Sequence, residues 1–273
     1  MKKKIALITG GSSGIGEATA RILTNNGYIV YVAARSIDKM NEKFRNEGIN
    51  TIKLDLTEDE SIINCVDFII KEEGRIDVLI NNAGFAQMGS IEETPMEIGK
   101  QHYYINLFGT THLSKLVIPH MRKNGFGKIV NISSVGGKIA GPFGGWYQSS
   151  KFAMEGMSDV IRLEVKKFGI DVIILEPGAI KTPMLNSLNN SMLEISGKGP
   201  YKSMAEKGAK SMKKAYEKSV LPEEIAQVIL KAIEAKKPKI RYPFGPMSKT
   251  YLFMRKLLSD RQFDRLILRQ FFD

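Results

Sequence analysis

The sequence predicts one α/β domain in which a mainly parallel sheet carries helices on both faces. Short apolar runs recur along the 273 residues without strict polar alternation, as expected for strands that are covered on both sides. Segments with helical periodicity separate these runs, and repeated strand–helix units favour parallel strands joined by right-handed crossovers. Because no linker, internal repeat or low-complexity tract divides the chain, residues 1–273 are predicted to form a single domain.

Six apolar runs predict strands, and a seventh run is a further candidate. Apolar residues at three- and four-residue spacing predict helices between them. The first helix carries Ile15, Ile22 and Leu23 on one face and ends at Asn26-Gly27. The predicted strands are residues 5–9, 29–34, 51–54, 76–81, 128–133, 171–176 and 239–242, and further helices are predicted over residues 62–70, 147–168 and 222–235.

Two segments depart from this alternation. Residues 183–221, rich in Ser, Asn, Gly, Lys and Met, are predicted to be a substrate-loop insertion, because long insertions are more often functional than filler. Residues 246–273 are predicted to be a C-terminal helical extension. Apolar side chains are interleaved with arginines and lysines from residue 251 to 272. This pattern favours packing over the sheet edge or at a subunit interface, and association with a membrane surface is the alternative.

Bulk composition restricts the compartment and the partners. Cys65 is the only cysteine, so an internal disulfide is excluded and a reducing compartment fits. No apolar run approaches the length of a membrane span, and the first one stops too early for a signal peptide. We therefore expect a cytoplasmic protein. Its net charge of +11 is interpreted as a contribution to solubility rather than as a sign of nucleic-acid binding.

A glycine-rich turn joins the first predicted strand to the first helix. Its glycines permit a tight turn and let the backbone approach a pyrophosphate. The helix N-terminus then offers free N–H groups and partial positive charge to the anion. The turn predicts a nucleotide site that includes Gly10, Ser12, Ser13, Gly14, Ile15 and Gly16.

The end of the second predicted strand indicates which dinucleotide binds. An acidic residue at this point would hold the ribose 2′-hydroxyl of NAD. The chain instead has Arg35 and no carboxylate between residues 30 and 36. A guanidinium suits a 2′-phosphate through charge-assisted hydrogen bonds. We therefore expect NADP(H) as cofactor, with NAD less favoured.

Four further motifs appear in a fixed order with the glycine turn. They are residues 81–84 (NNAG), Asn106 within a predicted helix, residues 132–134 (ISS) and residues 147–151 (YQSSK). Together they resemble the short-chain dehydrogenase/reductase superfamily over residues 4–182, and residues 134–137 and 141–143 are similar to its 17β-hydroxysteroid dehydrogenase-like members. The resemblance implies a Rossmann-type, doubly wound sheet of seven strands.

The resemblance also implies a catalytic tetrad of Asn106, Ser134, Tyr147 and Lys151. Tyr147 would be the general acid/base, and a helix places Lys151 on the same face four residues later. A nearby ammonium is expected to lower the pKa of the phenol toward working pH and, in the family, to hold the nicotinamide ribose. Ser134, which is favoured over Ser133 by its spacing from the tyrosine, would orient the substrate oxygen. Asn106 resembles the residue that holds a water in a proton relay.

The same resemblance assigns the remaining cofactor contacts. Asn82, Ala83 and Gly84, with Asn81 beside them, would line the adenine ribose side, and Asp55 would meet the adenine together with Leu56. The nicotinamide carboxamide would bind after the sixth strand. The residues expected there are Pro177, Gly178, Ile180 and Thr182.

The substrate is the least defined part of this interpretation. The favoured substrate is a fairly apolar small molecule, such as a steroid-like, retinoid-like or xenobiotic ketone. The alternatives are a 3-oxoacyl group on an acidic carrier protein, docked by the lysines between residues 198 and 218, and a nucleotide-sensing module without catalysis. We expect no metal site and a homodimer or homotetramer. Candidate apolar contacts are Trp146, Met184, Met192 and Tyr201, with Phe143 ambiguous, whereas His102, His112 and His120 lack ligand partners at useful spacing.

Overall fold

Seven parallel strands form one sheet in the order β3-β2-β1-β4-β5-β6-β7. A computed structural model describes residues 3–246 and 248–272. Four residues of the predicted domain 1–273 lie outside the described residues: Met1, Lys2, Met247 and Asp273. The strand order reverses between β1 and β4, which is where doubly wound sheets bind their ligands. The strands are β1 (Ile5–Thr9), β2 (Ile29–Ala34), β3 (Ile49–Lys53), β4 (Val78–Asn81), β5 (Gly127–Ile132), β6 (Ile170–Pro177) and β7 (Arg241–Phe244).

Helices cover both faces of this sheet. Apolar side chains from the two faces form separate buried clusters, one around Leu7 and Leu79 and the other around Ile8 and Ile80. Alternate residues of one strand thus point to opposite layers, as the period of a strand requires. The helices are α1 (Gly14–Asn25), α2 (Ile37–Lys43), α3 (Asp59–Glu73), α4 (Met96–Tyr103), α5 (Thr110–Asn124), α6 (Gly145–Val165), α7 (Pro183–Ser196), α8 (Lys202–Glu217), α9 (Pro222–Glu234), α10 (Ser248–Leu257) and α11 (Asp260–Phe272).

Several boundaries differ from the sequence prediction. The third strand starts two residues earlier than predicted and the fourth starts two residues later. Just before the fourth strand, the Asp77 carboxylate accepts a hydrogen bond from the backbone N–H of Ile5 at 2.9 Å. The seventh strand is shifted by two residues and includes Pro243, which an edge strand tolerates. Residues 183–221 contain the two helices α7 and α8 rather than a loop, and α2 was not predicted. The helix predicted around Asn106, without stated bounds, corresponds to α4, a π-helix (Tyr104–Gly109) and α5 in direct succession.

A third, smaller cluster lies outside the sheet layers. It joins Phe143 to Met192 of α7 and to Ala205 and Ala209 of α8. The C-terminal helix α11 adds Phe271, whose ring centroid lies 5.9 Å from that of Phe143. The insertion and the extension therefore pack on each other and on the segment that precedes α6. No helix in the described part of the chain is long and apolar enough to cross a membrane.

Candidate active site

An elongated cavity of about 450 Å³ opens at the carboxyl ends of the strands. It runs from the end of β2, past the glycine turn, to the start of α6. Most of the residues that the sequence singles out line it. They are Gly10, Ser12, Ser13, Gly14, Ile15, Arg35, Asp55, Leu56, Asn82, Ala83, Gly84, Ser134, Tyr147, Lys151, Pro177, Gly178, Ile180 and Thr182.

The glycine turn has the backbone that an anion site needs. Gly10 and Gly14 have φ values of 64° and 56°, which other residues rarely adopt. Ser13 precedes α1 in extended conformation and makes no side-chain cap, so the first N–H groups of the helix remain available to a ligand. Gly16 does not line the cavity. A Cβ there would lie 2.5 Å from Asn82 Nδ2, so this glycine is needed for close packing of the turn on the 82–84 segment.

The end of β2 is basic. Arg35 is exposed and lines the same cavity as Ser12 and Ser13, and a guanidinium at this point can pair with an anionic ligand group. Lys43, on the helix α2 that follows, donates hydrogen bonds of 2.7 Å to the Ser12 carbonyl and to Glu17. Sequence reasoning missed this lysine because α2 has no clear apolar stripe.

Asp55 follows β3 and its carboxylate turns back on its own loop. Oδ1 accepts hydrogen bonds from the Thr57 backbone N–H at 2.9 Å and from the Thr57 hydroxyl at 2.7 Å. Partial burial acts to raise the pKa of Asp55, but these hydrogen bonds and the charges of Arg35 and Lys53 bring it below the usual value. The carboxylate therefore shapes the loop at the cavity edge.

Tyr147, Ser134 and Lys151 meet at the inner end of the cavity. A Cβ on Gly136 would lie 3.4 Å from Ser134 Oγ and 3.5 Å from Tyr147 Cε1, so these two groups share one small space. Lys151 is buried, and its Nζ donates to the Ile132 carbonyl at 2.8 Å. Ser133 Oγ lies on the other side, beside Gly137 and Glu155. Of the two neighbouring serines, Ser134 is the one next to the tyrosine.

The titration of the tyrosine and the lysine is governed mainly by burial. Desolvation raises the pKa of Tyr147, and a hydrogen bond with the Ser134 side chain only partly opposes it. Burial also lowers the pKa of Lys151 to about 8, against the effect of the Glu155 carboxylate. The direction for the tyrosine is opposite to that argued from the sequence. The reason is that desolvation of the phenolate is the largest influence on this group.

Asn106 lies behind the cavity wall rather than on it. Its Oδ1 accepts from the Phe85 N–H at 2.8 Å, and its Nδ2 donates to the Phe85 carbonyl and to Ser150 Oγ, both at 2.9 Å. A Cβ on Gly84 would lie 3.5 Å from Asn106 Oδ1 and 3.8 Å from Lys151 Nζ. The chain around Asn106 forms a π-helix (Tyr104–Gly109), a rare structure that occurs often at functional sites and that the sequence did not reveal.

The segment after β6 closes the cavity against the glycine turn. A Cβ on Gly14 would lie 2.9 Å from Thr182 Cγ2, so the two segments are in direct contact. Ile180 pairs with Val220 in an isolated parallel bridge, which ties this segment to the end of the insertion. Helix α7 starts at Pro183 and contributes apolar side chains to the cavity wall. These are Met184, Leu185 and Leu188, opposite Phe85 and Ile105.

The other candidate substrate contacts lie elsewhere. Trp146 covers Gly99 and has a buried indole N–H without a hydrogen-bond partner, and Met192 belongs to the third cluster with Phe143. Tyr201 donates to Glu92 at 2.8 Å on the surface. Sequence reasoning also assigned no role to some residues of the cavity lining, most of which lie outside the motifs. They are Thr9, Ala33, Ala34, Ser36, Leu54, Phe85, Ile105, Ile132, Pro183, Leu185 and Leu188.

This site fits a dinucleotide cofactor. The glycine turn has an uncapped helix N-terminus for the pyrophosphate, and a buried lysine and a tyrosine lie at the opposite end of the cavity. The fold and these groups define a nicotinamide-dependent oxidoreductase. The chain belongs to the short-chain dehydrogenase/reductase family, whose model, described as short chain dehydrogenase, matches residues 4–193.

Comparison with known proteins agrees with this class. The chain is 37% identical over 248 residues to a 3-ketodihydrosphingosine reductase of Bacteroides thetaiotaomicron, with 90% of each chain covered. It is 32% identical to an NADPH-dependent 3-dehydrocapnine reductase of Ornithobacterium rhinotracheale, with 97% of this chain and 96% of that one covered. An alcohol dehydrogenase of the archaeon Thermococcus sibiricus, solved with 5-hydroxy-NADP, superposes with a TM-score of 0.72 at 25% identity, over 89% of this chain and 97% of that one. The protein is an NAD(P)-dependent oxidoreductase that acts on small molecules.

Proposed function

We propose that the protein uses NADPH to reduce a ketone on a fairly apolar small molecule to a secondary alcohol, with Tyr147 as proton donor. The observation that carries the proposal is the position of the Tyr147 phenol, beside Ser134 and near Lys151, at the end of a cavity walled by α7. NADPH, when bound, supplies the hydride. The two relatives described above, both reductases and one of them NADPH-dependent, support this direction and this cofactor.

Each residue of the site has a role that follows from its surroundings. The Tyr147 phenol has an ordinary pKa of 10.0, which desolvation raises further, so it is protonated at neutral pH, as a donor to a developing alkoxide must be. Ser134 Oγ donates a hydrogen bond to the same substrate oxygen and aligns it. The Lys151 ammonium stabilises the phenolate that remains after proton transfer. Asn106 fixes the Phe85 backbone and thus the wall that faces the lysine.

The cofactor contacts follow the cavity wall. Arg35, with Ser12 and Ser13, would bind the 2′-phosphate, and Asp55 and Leu56 would lie beside the adenine. The 82–84 segment would line the adjoining ribose. Residues 177–182, which touch the glycine turn through Thr182, would hold the carboxamide end. The apolar side chains of Met184, Leu185 and Leu188 would then bind the substrate, because such pockets are mostly apolar with few polar anchors.

The variant Tyr147→Phe tests the proposal. It removes the proton donor and little else, so we expect the turnover of NADPH with apolar ketones to fall by at least about a hundredfold while NADPH affinity is nearly kept. The matched control is Tyr216→Phe, which removes a hydroxyl from α8, outside the cavity lining. Consumption of NADPH is followed by absorbance across a panel of ketones, and cofactor affinity by calorimetry. Near-normal turnover of Tyr147→Phe would rule out this tyrosine as the donor.

The carrier-protein alternative makes a different prediction for the same panel. Lysines of α8, among them Lys202, Lys210 and Lys213, are exposed and would form the dock. Activity restricted to carrier-linked 3-oxoacyl substrates, with a steep fall as salt is added, would favour that alternative. Free apolar ketones should instead react at rates that depend weakly on ionic strength.

A further inference from the structure

The two C-terminal helices form a hairpin with its own internal bonds. Helices α10 and α11 are joined at residues 258–259, and Gln270 Nε2 donates to the Tyr251 hydroxyl across the hairpin at 2.6 Å. Near the turn, the Arg255 guanidinium donates to Asp260 at 2.7 Å and lies 5.5 Å above the Phe263 ring. These contacts hold the two helices together as one unit.

One face of the hairpin packs on the rest of the protein. Phe263 and Ile267 of α11 are buried one turn apart, and Phe271 contacts Phe143 and α8. A Cβ on Gly141 would lie 3.4 Å from Ile267 Cγ2, so α11 covers the segment that leads into the catalytic helix α6. This face accounts for the packing that the sequence predicts.

Another face of the hairpin leaves large apolar side chains in solvent. Phe253 is 62% exposed and Leu257 is 66% exposed, and their spacing of four residues places them side by side on α10. Lys249 and Lys256 are exposed on the same stripe. Burial in the fold therefore does not explain why α10 carries these two residues.

A row of cations continues along α11. Arg261, Arg265 and Arg269 recur every four residues and are all exposed, with Leu268 next to them at 37% exposure. Of the acidic residues in the hairpin, Asp260 is engaged by Arg255, and Asp264 is exposed. The exposed residues Lys249, Phe253, Lys256, Leu257, Arg261, Arg265, Leu268 and Arg269, here called the outer surface of the hairpin, combine apolar side chains with five positive charges, and the exposed Asp264 lies between two of these arginines in sequence.

We propose that this outer surface docks the protein on an anionic lipid membrane. Apolar side chains ringed by lysine and arginine are what an interfacial helix uses, since the rings and aliphatic chains enter the acyl boundary while the cations meet lipid phosphates. A symmetric contact with a second copy of the chain would instead bring two identical sets of cations together, which costs free energy. Charge complementarity therefore favours the membrane over self-association.

Docking through this hairpin would also orient the catalytic cavity. The inner face of α11 contacts α8 and Phe143, and α8 packs on α7, whose Met184 and Leu188 line the cavity. A membrane bound by the hairpin would therefore hold the cavity in one orientation relative to the lipid surface, which suits a lipid-dissolved ketone as substrate. This consequence rests on the proposed function, whereas the docking itself does not.

Vesicle co-sedimentation of the full chain tests the docking. We expect binding to mixed phosphatidylcholine–phosphatidylglycerol vesicles, weaker binding as salt is added, and little binding to phosphatidylcholine alone. The variant Phe253→Ser/Leu257→Ser should bind at least about tenfold more weakly. Replacement of Arg261 and Arg265 by glutamine should weaken binding by about fivefold per arginine. The matched control is Leu163→Ser, which removes a leucine of 67% exposure from α6.

The results that would overturn the proposal are distinct. It fails if the wild-type chain does not sediment with anionic vesicles, if it binds neutral vesicles equally, or if Leu163→Ser weakens binding as much as the double variant. The surface would belong to an interface between two copies of the chain if gel filtration shows a dimer that dissociates in the double variant and no vesicle binding occurs. It would bind an acidic protein if the chain binds polyglutamate but not vesicles. Circular dichroism should be unchanged in the variants, which separates a docking defect from a failure to fold. Reduction of a water-soluble ketone should also be unchanged, so failure of the proposed function is detected independently of vesicle binding.

Discussion

Replacement of Arg35 by alanine tests the preference for NADPH directly. The guanidinium lies on the cavity wall at the end of β2, where no carboxylate competes for the 2′ position of the adenine ribose. A hydrogen bond to a charged group contributes about 1.5–3 kcal/mol. Arg35 is exposed, so solvent screens its charge and the lower end of this range applies. Since about 1.4 kcal/mol is a factor of ten, we expect NADPH affinity to fall about tenfold to thirtyfold.

The affinity for NADH should hardly change, because NADH has no phosphate at this position. Some preference for NADPH should remain in Arg35→Ala, since Lys43 is held against Ser12 at the same end of the cavity. The double variant Arg35→Ala/Lys43→Ala should therefore lower the preference further. The matched control is Arg45→Ala, which removes the same charge from an exposed position just beyond α2.

Titration calorimetry of both dinucleotides against the four proteins gives the measurement. The reasoning is refuted if the wild-type chain prefers NADH, if Arg35→Ala weakens both dinucleotides equally, or if Arg45→Ala has the same effect as Arg35→Ala. The last result would mean that net charge, rather than a contact, sets the affinity.

Two further predictions concern charges beneath the site. Glu155→Gln should lower the free energy of unfolding by about 3 kcal/mol, because the buried Glu155 carboxylate accepts a hydrogen bond from Arg241 Nε at 3.0 Å and pairs with Lys138 at 2.9 Å. Urea denaturation measures the loss against a Glu164→Gln control on the same helix, and equal midpoints for the two variants would contradict the prediction. NADPH affinity should fall as the pH rises above about 8, because burial lowers the pKa of Lys151 to about 8 and its positive charge is lost above that pH. The prediction is wrong if the affinity of the wild-type chain does not change with pH, or if Lys151→Met shows the same fall.

The parts of the site that could be predicted from sequence are those whose local geometry depends on residue type. Only glycine readily adopts the positive φ of positions 10 and 14, so the turn is visible in the sequence. The four-residue spacing of Tyr147 and Lys151 fixes their common helix face for any helix that contains both. The six main strands were predicted because burial on both faces requires continuous apolar runs.

The parts that could not be predicted depend on contacts between distant segments. Helices α7 and α8 lie in a segment rich in Ser, Asn, Gly and Lys, and their apolar side chains pack with Phe143 and Phe271. The π-helix at Asn106 depends on hydrogen bonds to Phe85 and Ser150, which are remote in sequence. Likewise, the ionic cluster of Glu155, Lys138 and Arg241 joins three elements and carries no sequence pattern.

Burial controls the titration of the two ionisable groups at the end of the cavity. A sequence argument treats Lys151 as the dominant influence on Tyr147 and predicts a lowered phenol pKa, which would suit a base for alcohol oxidation. In the folded chain, desolvation raises the pKa of the phenol, and burial lowers the pKa of the lysine to about 8. A phenol whose pKa is raised above its ordinary value is protonated at neutral pH, which is the form that donates to a carbonyl oxygen. Proton donation leaves a phenolate in the same site, so the positive charge of Lys151 is needed there to offset part of the desolvation cost of that phenolate.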